Sequence, residues 1–247
     1  MRARLSYGFH LLLPIADRNL MQMVLRGDLF ETAVADALCN LIRPGDVFVD
    51  GGAHVGLYTL IGAKQVGPTG RTIAFEPHPL NAELLRLNTT QNHLASRVVV
   101  EEAALSDQIG VVNFCWSPTL TTNGRLLSPP ASDSRLTPVK TVDLDHYLSK
   151  EGGTVDIIKL DLEGGEVQAL TGMKSSLTRA RCVIMEVNDP RIREQGLEPS
   201  SVVTRAMDLG GFSSARVLPL GGSEPMPIAF LSEELVNFGW TNVLLAR

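Results

Sequence analysis

The chain has 247 residues, a length that suits one α/β domain with a short extension or at most two small domains. Of these residues 44% are hydrophobic and 20% are charged, a composition typical of a globular protein. Its 22 basic and 27 acidic side chains give a formal net charge of −5 without any run of lysines or arginines, which argues against nucleic acid as the main partner. No apolar run reaches the roughly 18 to 20 residues of a membrane-spanning helix, so we expect no membrane span.

The N-terminal segment contains the nearest approach to a targeting signal. Two arginines precede a short apolar run, but His10 and Pro14 interrupt this run and no small-residue cleavage site follows it. We therefore expect a cytoplasmic protein. We also expect residues 1–44 to form a helical segment that covers the main domain, which we assign to residues 45–247.

Strand and helix patterns alternate along the main domain. Short apolar or β-branched runs bounded by turn residues predict strands. These strands are residues 46–50, 71–76, 97–101, 109–116, 139–142, 155–160, 181–187, 212–220 and 241–246. Helical spacing predicts helices at residues 57–66, 80–92, 163–173 and 201–209. The alternation predicts an α/β fold with a doubly wound, mostly parallel sheet, whose ligand lies at the carboxyl ends of the strands.

One segment of the main domain has no apolar period. Residues 117–138 are rich in Ser, Thr and Pro, which predicts a long loop. A loop of that length is uncommon in a compact domain and is often functional. We expect this loop and residues 9–30 to cover the ligand.

A glycine-rich turn, D-G-G-A-H-V-G, follows the first strand of the main domain. It departs from the G-x-G-x-x-G pattern of dinucleotide-binding proteins, because Ala53 stands two residues after Gly51. A carboxylate, Asp50, ends the strand, where it would repel a pyrophosphate but would suit an ammonium group. The spacing of Asp50, Gly52 and Gly56 therefore favours S-adenosylmethionine over a nicotinamide cofactor.

The next two strands also end in segments suited to an adenosine. Glu76 follows the second strand in I-A-F-E-P, where a carboxylate can accept hydrogen bonds from both ribose hydroxyls. After the third strand comes A-A-L-S-D, a segment that borders the adenine if the protein is a methyltransferase. Ala104 or Leu105 would then pack on the ring, and Ser106 or Asp107 would contact the exocyclic amine.

A second acidic segment, K-L-D-L-E-G-G-E, follows the strand at residues 155–160. Lys159 and Asp161 are two residues apart and therefore share one face of the strand. Asp161, Glu163 and Glu166 gather near a predicted helix N-terminus, so helix capping is an alternative to catalysis for the two glutamates. A lysine inside an apolar strand requires a charged partner. Carboxylates at this edge can hold a substrate or take the proton from a hydroxyl.

The order of D-G-G-A-H-V-G, F-E-P, A-L-S-D, K-L-D-L-E-G-G-E and V-I-M-E-V, over about residues 45–186, resembles the FkbM family of S-adenosylmethionine-dependent methyltransferases. The resemblance implies a class I methyltransferase (Rossmann-like) fold of about seven strands, mostly parallel with the last antiparallel. It implies transfer of a methyl group, usually to a hydroxyl oxygen. The cofactor contacts that it implies are Glu31, Asp50, Gly52, Ala53, His54, Gly56, Glu76 and Asp161. With the adenine-side candidates Ala104 and Ser106, these residues form the predicted cofactor-binding set. His54 departs from the family pattern, which usually has asparagine there.

The predicted reaction is O-methylation of a small molecule, sugar, lipid or natural product. We expect Asp161 to act as the base or to orient the acceptor. The residues expected to hold Asp161 or the substrate are Lys159, Glu163 and Glu186. His78 and His146 are alternative bases. No residue spacing requires a metal, although Asp161, Glu163 and Glu186 could recruit one.

Two other functional classes remain open from the sequence. One is an NAD-dependent oxidoreductase, and the other is a non-catalytic binding module on the same fold. The expected partner is a small-molecule, glycan or lipid hydroxyl acceptor. A homodimer is possible, because the apolar N-terminal segment can pack on the domain or across two copies.

Overall fold

The computed structural model describes residues 1–4, 7–17, 20–22, 31–117, 120–126, 135–151, 153–220 and 224–247. The strands are β1 Arg2–Arg4, β2 His10–Leu12, β3 Val47–Gly51, β4 Arg71–Phe75, β5 Val98–Glu101, β6 Ala103–Leu105, β7 Gly110–Ser117, β8 Leu120–Leu126, β9 Arg135–Val142, β10 Ile157–Leu160, β11 Cys182–Asn188, β12 Ser214–Leu218, β13 Met226–Pro227 and β14 Trp240–Ala246. The helices are α1 Thr32–Leu41, α2 Leu57–Gln65, α3 Pro79–Gln91, α4 Leu144–Lys150, α5 Glu166–Thr171, α6 Lys174–Arg179, α7 Asp189–Glu194, α8 Pro199–Gly210 and α9 Leu231–Phe238.

The main sheet has the strand order β13-β12-β14-β11-β10-β3-β4-β5. Strands β11, β10, β3, β4 and β5 run parallel, whereas β14 is antiparallel to both of its neighbours. This confirms the predicted mostly parallel sheet with an antiparallel last strand. The described sheet has eight strands rather than about seven, because the two-residue β13 pairs with the edge of β12.

Alternating residues of the central strands enter two different hydrophobic clusters, one on each face of the sheet. Val49 and Ile158 pack on the face covered by α8, and Phe48 and Ile157 pack on the face covered by α1 and α2. Burial on both faces explains why these strands are continuously apolar. The chain winds outward from β3 in one direction and from β10 in the other, so a crevice opens at their carboxyl ends.

A second sheet, of order β6-β9-β7-β8, covers part of this crevice. The prediction of a loop over residues 117–138 is therefore wrong for residue 117, which ends β7, and for residues 120–126 and 135–138, which form β8 and the start of β9. Residues 118–119 and 127–134 lie outside the described residues. Antiparallel pairing of β7 with β8 and β9 orders this polar segment. Its apolar residue Leu136 is exposed, so the segment lacks the alternating pattern of a half-buried strand.

The helix predicted at residues 163–173 begins later, at Glu166, and a second helix, α6, follows it. Glu163 and Gly164 have φ of 52° and 98°, in the left-handed region that a helix excludes. The carboxylate of Glu166 accepts hydrogen bonds from the backbone N–H of Leu162 at 2.7 Å and of Gly164 at 3.0 Å. Glu166 therefore caps this turn, as the capping interpretation predicts.

The N-terminal residues pack against the main domain. Leu11 and Leu38 belong to the same hydrophobic cluster as Phe48 of β3. The side chain of Asn88 on α3 accepts from the Leu12 N–H at 2.6 Å and donates to the Leu12 carbonyl at 3.1 Å. The prediction of a helical N-terminal segment is wrong for residues 2–4 and 10–12, which form β1 and β2. The division into residues 1–44 and 45–247 stays a prediction. Among the described residues, no helix has both the length and the hydropathy needed to cross a bilayer.

Candidate cofactor and acceptor site

A cavity of about 510 Å³ opens at the carboxyl ends of β3, β4, β10 and β11. Its volume lies within the range of about 300 to 1,000 Å³ that is usual for ligand and cofactor sites. The predicted site residues that line it are Glu31, Gly52, Ala53, His54, Glu76, Ala104, Asp161, Glu163 and Glu186. The fold thus gathers segments that are distant in sequence around one space large enough for an adenosyl compound.

The glycine turn is pressed against the turn that follows β10. Gly52 has φ of 75°, and a Cβ placed there would lie 1.8 Å from the carbonyl oxygen of Asp161. Gly56, with φ of 98°, precedes α2, and its Cβ would lie 2.3 Å from Leu85 Cδ1. His54 also has a positive φ, of 50°, which non-glycine residues seldom adopt. The turn therefore requires glycine at both positions.

Asp50 lies behind the turn and not in the cavity wall. It is fully buried and accepts a hydrogen bond of 2.6 Å from the Thr59 hydroxyl, while its Oδ1 has no hydrogen-bond partner among the described residues. Burial raises the pKa of Asp50, and the charge of Lys159 and the Thr59 hydrogen bond oppose that rise. Because Asp50 does not line the cavity, its predicted contact with the ammonium group of the cofactor stays a prediction.

Lys159 has the charged partners that a lysine in an apolar strand requires. It is 1% exposed, its Nζ lies 3.1 Å from Asp161 Oδ2, and the same atom lies 4.6 Å from the centre of the Tyr58 ring. Burial lowers the pKa of Lys159, but the carboxylates of Asp161, Asp50 and Glu31 outweigh it, so the net pKa is raised. Lys159 is therefore a fixed positive charge and not a base.

Glu31 joins the N-terminal segment to the site. Its carboxylate accepts hydrogen bonds from the Tyr58 hydroxyl and from the Asn242 amide. Burial and the charge of Asp161 raise the pKa of Glu31. Sequence reasoning missed Tyr58, Asn242 and Thr59, although a buried amide in the apolar strand T-N-V-L-L was a usable signal.

Glu76 is held rigidly at the cavity wall. Its Oε2 accepts from the His54 N–H at 2.8 Å, and its Oε1 accepts from the His78 N–H at 2.9 Å and the Asn81 amide at 3.4 Å. Burial raises the pKa of Glu76 to about 7, and these hydrogen bonds oppose the rise. His54 is neutral, because burial lowers its pKa to about 4.

We predict that affinity for S-adenosylhomocysteine falls as the pH is lowered through about 7, because a protonated Glu76 accepts hydrogen bonds from the ribose less well. Well below that pH, the affinity for S-adenosylhomocysteine should fall by about tenfold for each pH unit. Calorimetry between about pH 8 and pH 6 measures it. Glu76→Gln should bind weakly and without this pH dependence, whereas the exposed Glu102→Gln should behave as the parent. A flat profile for the parent protein would refute the assignment.

The adenine-side predictions have mixed placements. Ala104 and Leu105 line the cavity, as an apolar surface for a ring requires. Ser106 is not among the described lining residues, and its hydroxyl donates to Asp107 at 3.2 Å. Its contact with adenine stays a prediction.

The two histidines weighed as bases lie elsewhere. His78 is buried and makes an edge-on contact with Trp116, with ring centres 4.2 Å apart. His146 is exposed on α4, where its backbone N–H donates to Asp143 at 2.8 Å. Neither lines the cavity in the described part of the chain, so the carboxylates remain the candidate bases.

Three carboxylates converge at the end of the cavity next to β11. One oxygen each from Asp161, Glu163 and Glu186 lies within 4.8 Å of the other two. Glu163 accepts a hydrogen bond of 3.3 Å from the Asn188 amide. Burial, and then the charge of Asp161, raise the pKa of Glu163 and Glu186 well above the ordinary value. Each of these two carboxyl groups therefore keeps its proton to a higher pH than an exposed glutamate does.

Comparison with known protein families identifies this arrangement. The family model described as the methyltransferase FkbM domain matches residues 50–213. The chain belongs to the FkbM methyltransferase family. This confirms the predicted family and supports an S-adenosylmethionine-dependent methyltransferase. The comparisons give no support to an oxidoreductase or a non-catalytic module.

Relatives of this FkbM-family chain include two named methyltransferases. The chain is 28% identical over 178 residues to the 31-O-demethyl-FK506 methyltransferase FkbM of Streptomyces tacrolimicus, covering 60% of this chain and 67% of that protein. It is 27% identical over 175 residues to the hexuronic acid methyltransferase AglP of Haloferax volcanii, covering 70% of this chain and 66% of that protein. The chain thus spans about two thirds of their length.

A solved structure supports the fold. The methyltransferase FkbM from Methylobacillus flagellatus superposes with a TM-score of 0.53 at 15% sequence identity, covering 86% of this chain and 50% of that protein. Together with the strand order, this likeness confirms the predicted class I methyltransferase fold.

Proposed function

We propose that this FkbM-family protein transfers a methyl group from S-adenosylmethionine to a hydroxyl oxygen of a small molecule, glycan or lipid. The observation that carries the proposal is the single cavity that joins the glycine turn and Glu76 to the carboxylates after β10 and β11. The first group suits an amino acid and a ribose, and the second suits an acceptor hydroxyl. One relative is named a 31-O-demethyl-FK506 methyltransferase, and another is named a hexuronic acid methyltransferase.

The residues present fit the cofactor. The unpartnered Oδ1 of Asp50 is a buried acceptor beside the turn, Glu76 faces the cavity, and Ala104 supplies an apolar surface. When bound, S-adenosylmethionine supplies an electrophilic methyl group. The chain orients the cofactor through the glycine turn and Glu76.

The acceptor side of the cavity is assigned to Asp161. Lys159 holds the Asp161 carboxylate through the 3.1 Å ion pair, and the exposed part of Asp161 faces the cavity. A carboxylate in that place can orient the acceptor hydroxyl and take its proton. Glu163 and Glu186 lie beside it and help to hold the acceptor.

The proposal is tested by binding and by mass. Calorimetry with S-adenosylhomocysteine and with NAD, run on the same preparation, should give binding of the first alone. Incubation with S-adenosylmethionine and hydroxylated sugars, lipids or polyketides should add about 14 daltons to the true acceptor. If NAD binds and S-adenosylhomocysteine does not, the proposal is wrong.

Asp161→Asn should lower kcat by about 100-fold or more, because the amide cannot take the acceptor proton. The Kd for S-adenosylhomocysteine should change much less than kcat. Asp208→Asn, on the exposed face of α8, is the matched control and should leave both quantities unchanged. Equal losses in kcat and in cofactor affinity would instead assign Asp161 to cofactor binding alone.

A further inference from the structure

The carboxylate trio of Asp161, Glu163 and Glu186 contains more negative charge than its protein neighbours neutralise. Each of these residues offers one oxygen to a common point, with the three atoms within 4.8 Å of one another. Lys159 pairs with Asp161, but its charge is shared with Asp50 and Glu31. Buried carboxylates without a matching cation are costly.

Glu186 has a buried carboxylate oxygen without a hydrogen-bond partner, which is a second and independent indication of a ligand at the trio. Its side chain lies on β11 and is 5% exposed, yet its Oε2 has no hydrogen-bond partner in the described part of the chain. The neighbouring acceptor, Asn242 Oδ1 on β14, also lacks one. A bound ion or an ordered water is the common partner of buried acceptors that lack a donor among the described residues.

We propose that Asp161, Glu163 and Glu186 bind a divalent cation, with Mg²⁺ or Mn²⁺ as the class favoured by an all-oxygen ligand set. Three carboxylates are typical ligands of these hard ions. With bonds of about 2.1 Å, two oxygens on an octahedral ion are about 3.0 Å apart when adjacent and about 4.2 Å apart when opposite. The partly exposed side chains of Asp161 and Glu163 can move closer to Glu186 to reach these distances.

The cation would define the class of acceptor, and this step depends on the proposed methyl transfer. Three protein ligands leave about three of the six positions of an octahedral ion open. An acceptor with two neighbouring oxygens, such as a vicinal diol or a hydroxy acid, can occupy two of them. The bound hydroxyl loses its proton more readily, to water or to a carboxylate. Its oxygen then bonds the methyl carbon while the carbon–sulfur electron pair stays on sulfur.

The test measures metal binding directly, without cofactor or acceptor. Manganese chloride is titrated into the full chain at about pH 8, and free Mn²⁺ is followed by electron paramagnetic resonance. We expect one bound Mn²⁺ per chain. Glu163→Gln and Glu186→Gln should each weaken binding by at least about tenfold. Glu83→Gln, which removes an exposed carboxylate on α3, should not change it.

Folding and function are controlled separately. Glutamine keeps the shape of glutamate and removes a buried negative charge, so both variants should unfold at the parent's temperature or higher. Calorimetry with S-adenosylhomocysteine on each variant tests the proposed function independently. If S-adenosylhomocysteine binds and the parent retains no Mn²⁺, or if Glu83→Gln weakens Mn²⁺ as much as the others, the metal site is wrong and Glu186 is instead protonated.

Discussion

Replacing Gly52 with alanine should abolish measurable binding of S-adenosylhomocysteine and destabilise the fold more than any other single methyl addition in the turn. The new Cβ would lie 1.8 Å from the Asp161 carbonyl oxygen, and that oxygen belongs to backbone that cannot rotate away. Separating the two turns breaks the hydrogen bond of 3.0 Å that the Asp161 backbone N–H donates to the Gly51 carbonyl oxygen. Overpacking of this kind costs about 1 to 3 kcal/mol or more, in addition to about 1 to 2 kcal/mol for alanine at positive φ.

Gly196 provides a matched control for this variant. Its φ of 74° is almost that of Gly52, but a Cβ there meets nothing within 4 Å. Gly196→Ala therefore measures the backbone strain alone, while Gly52→Ala measures strain and contact together. Urea unfolding of the two variants gives the difference, and calorimetry gives the cofactor affinity. Equal losses of stability in both would show that the close contact has no energetic consequence.

The parts of the site that follow parallel strands could be predicted from the sequence. The carboxyl ends of such strands meet at one edge, so Asp50, Glu76 and Asp161 were placed together by their positions after apolar runs. The glycine turn was equally readable, because its backbone geometry excludes side chains at Gly52 and Gly56. These features depend on local sequence and on one topological rule.

The contacts that depend on tertiary packing could not be predicted. Asn242 meets Glu31 across 211 positions of sequence, a pairing that no local pattern encodes. The polar strand β8 forms because β7 supplies its hydrogen bonds, and its composition alone indicates a loop. The delayed start of α5 results from the positive φ of Glu163, which was expected to begin the helix.

Lys159→Met should destabilise the protein by about 3 to 5 kcal/mol, because it removes one partner of a buried ion pair and leaves the other uncompensated. Lys159 is the one lysine or arginine among the described buried residues, so no other interior cation replaces it. The methionine fills a similar volume beside the Tyr58 ring, which limits any cavity effect. Urea unfolding at neutral pH measures the loss.

The pH dependence of Lys159→Met separates lost charge from lost packing. Burial raises the pKa of Asp50 and Glu31, and the charge of Lys159 restrains both shifts, so its removal raises them further. A carboxyl whose folded pKa exceeds its unfolded value costs stability as the pH rises through that range. The loss of unfolding free energy in Lys159→Met should therefore be smaller at about pH 5 than at about pH 8.

Lys64→Met is the matched control, since Lys64 also lies over an aromatic ring, 5.3 Å from the centre of Phe9, but at the surface. Its effect should be several-fold smaller and independent of pH, and a pH-independent deficit in Lys159→Met would assign the loss to packing.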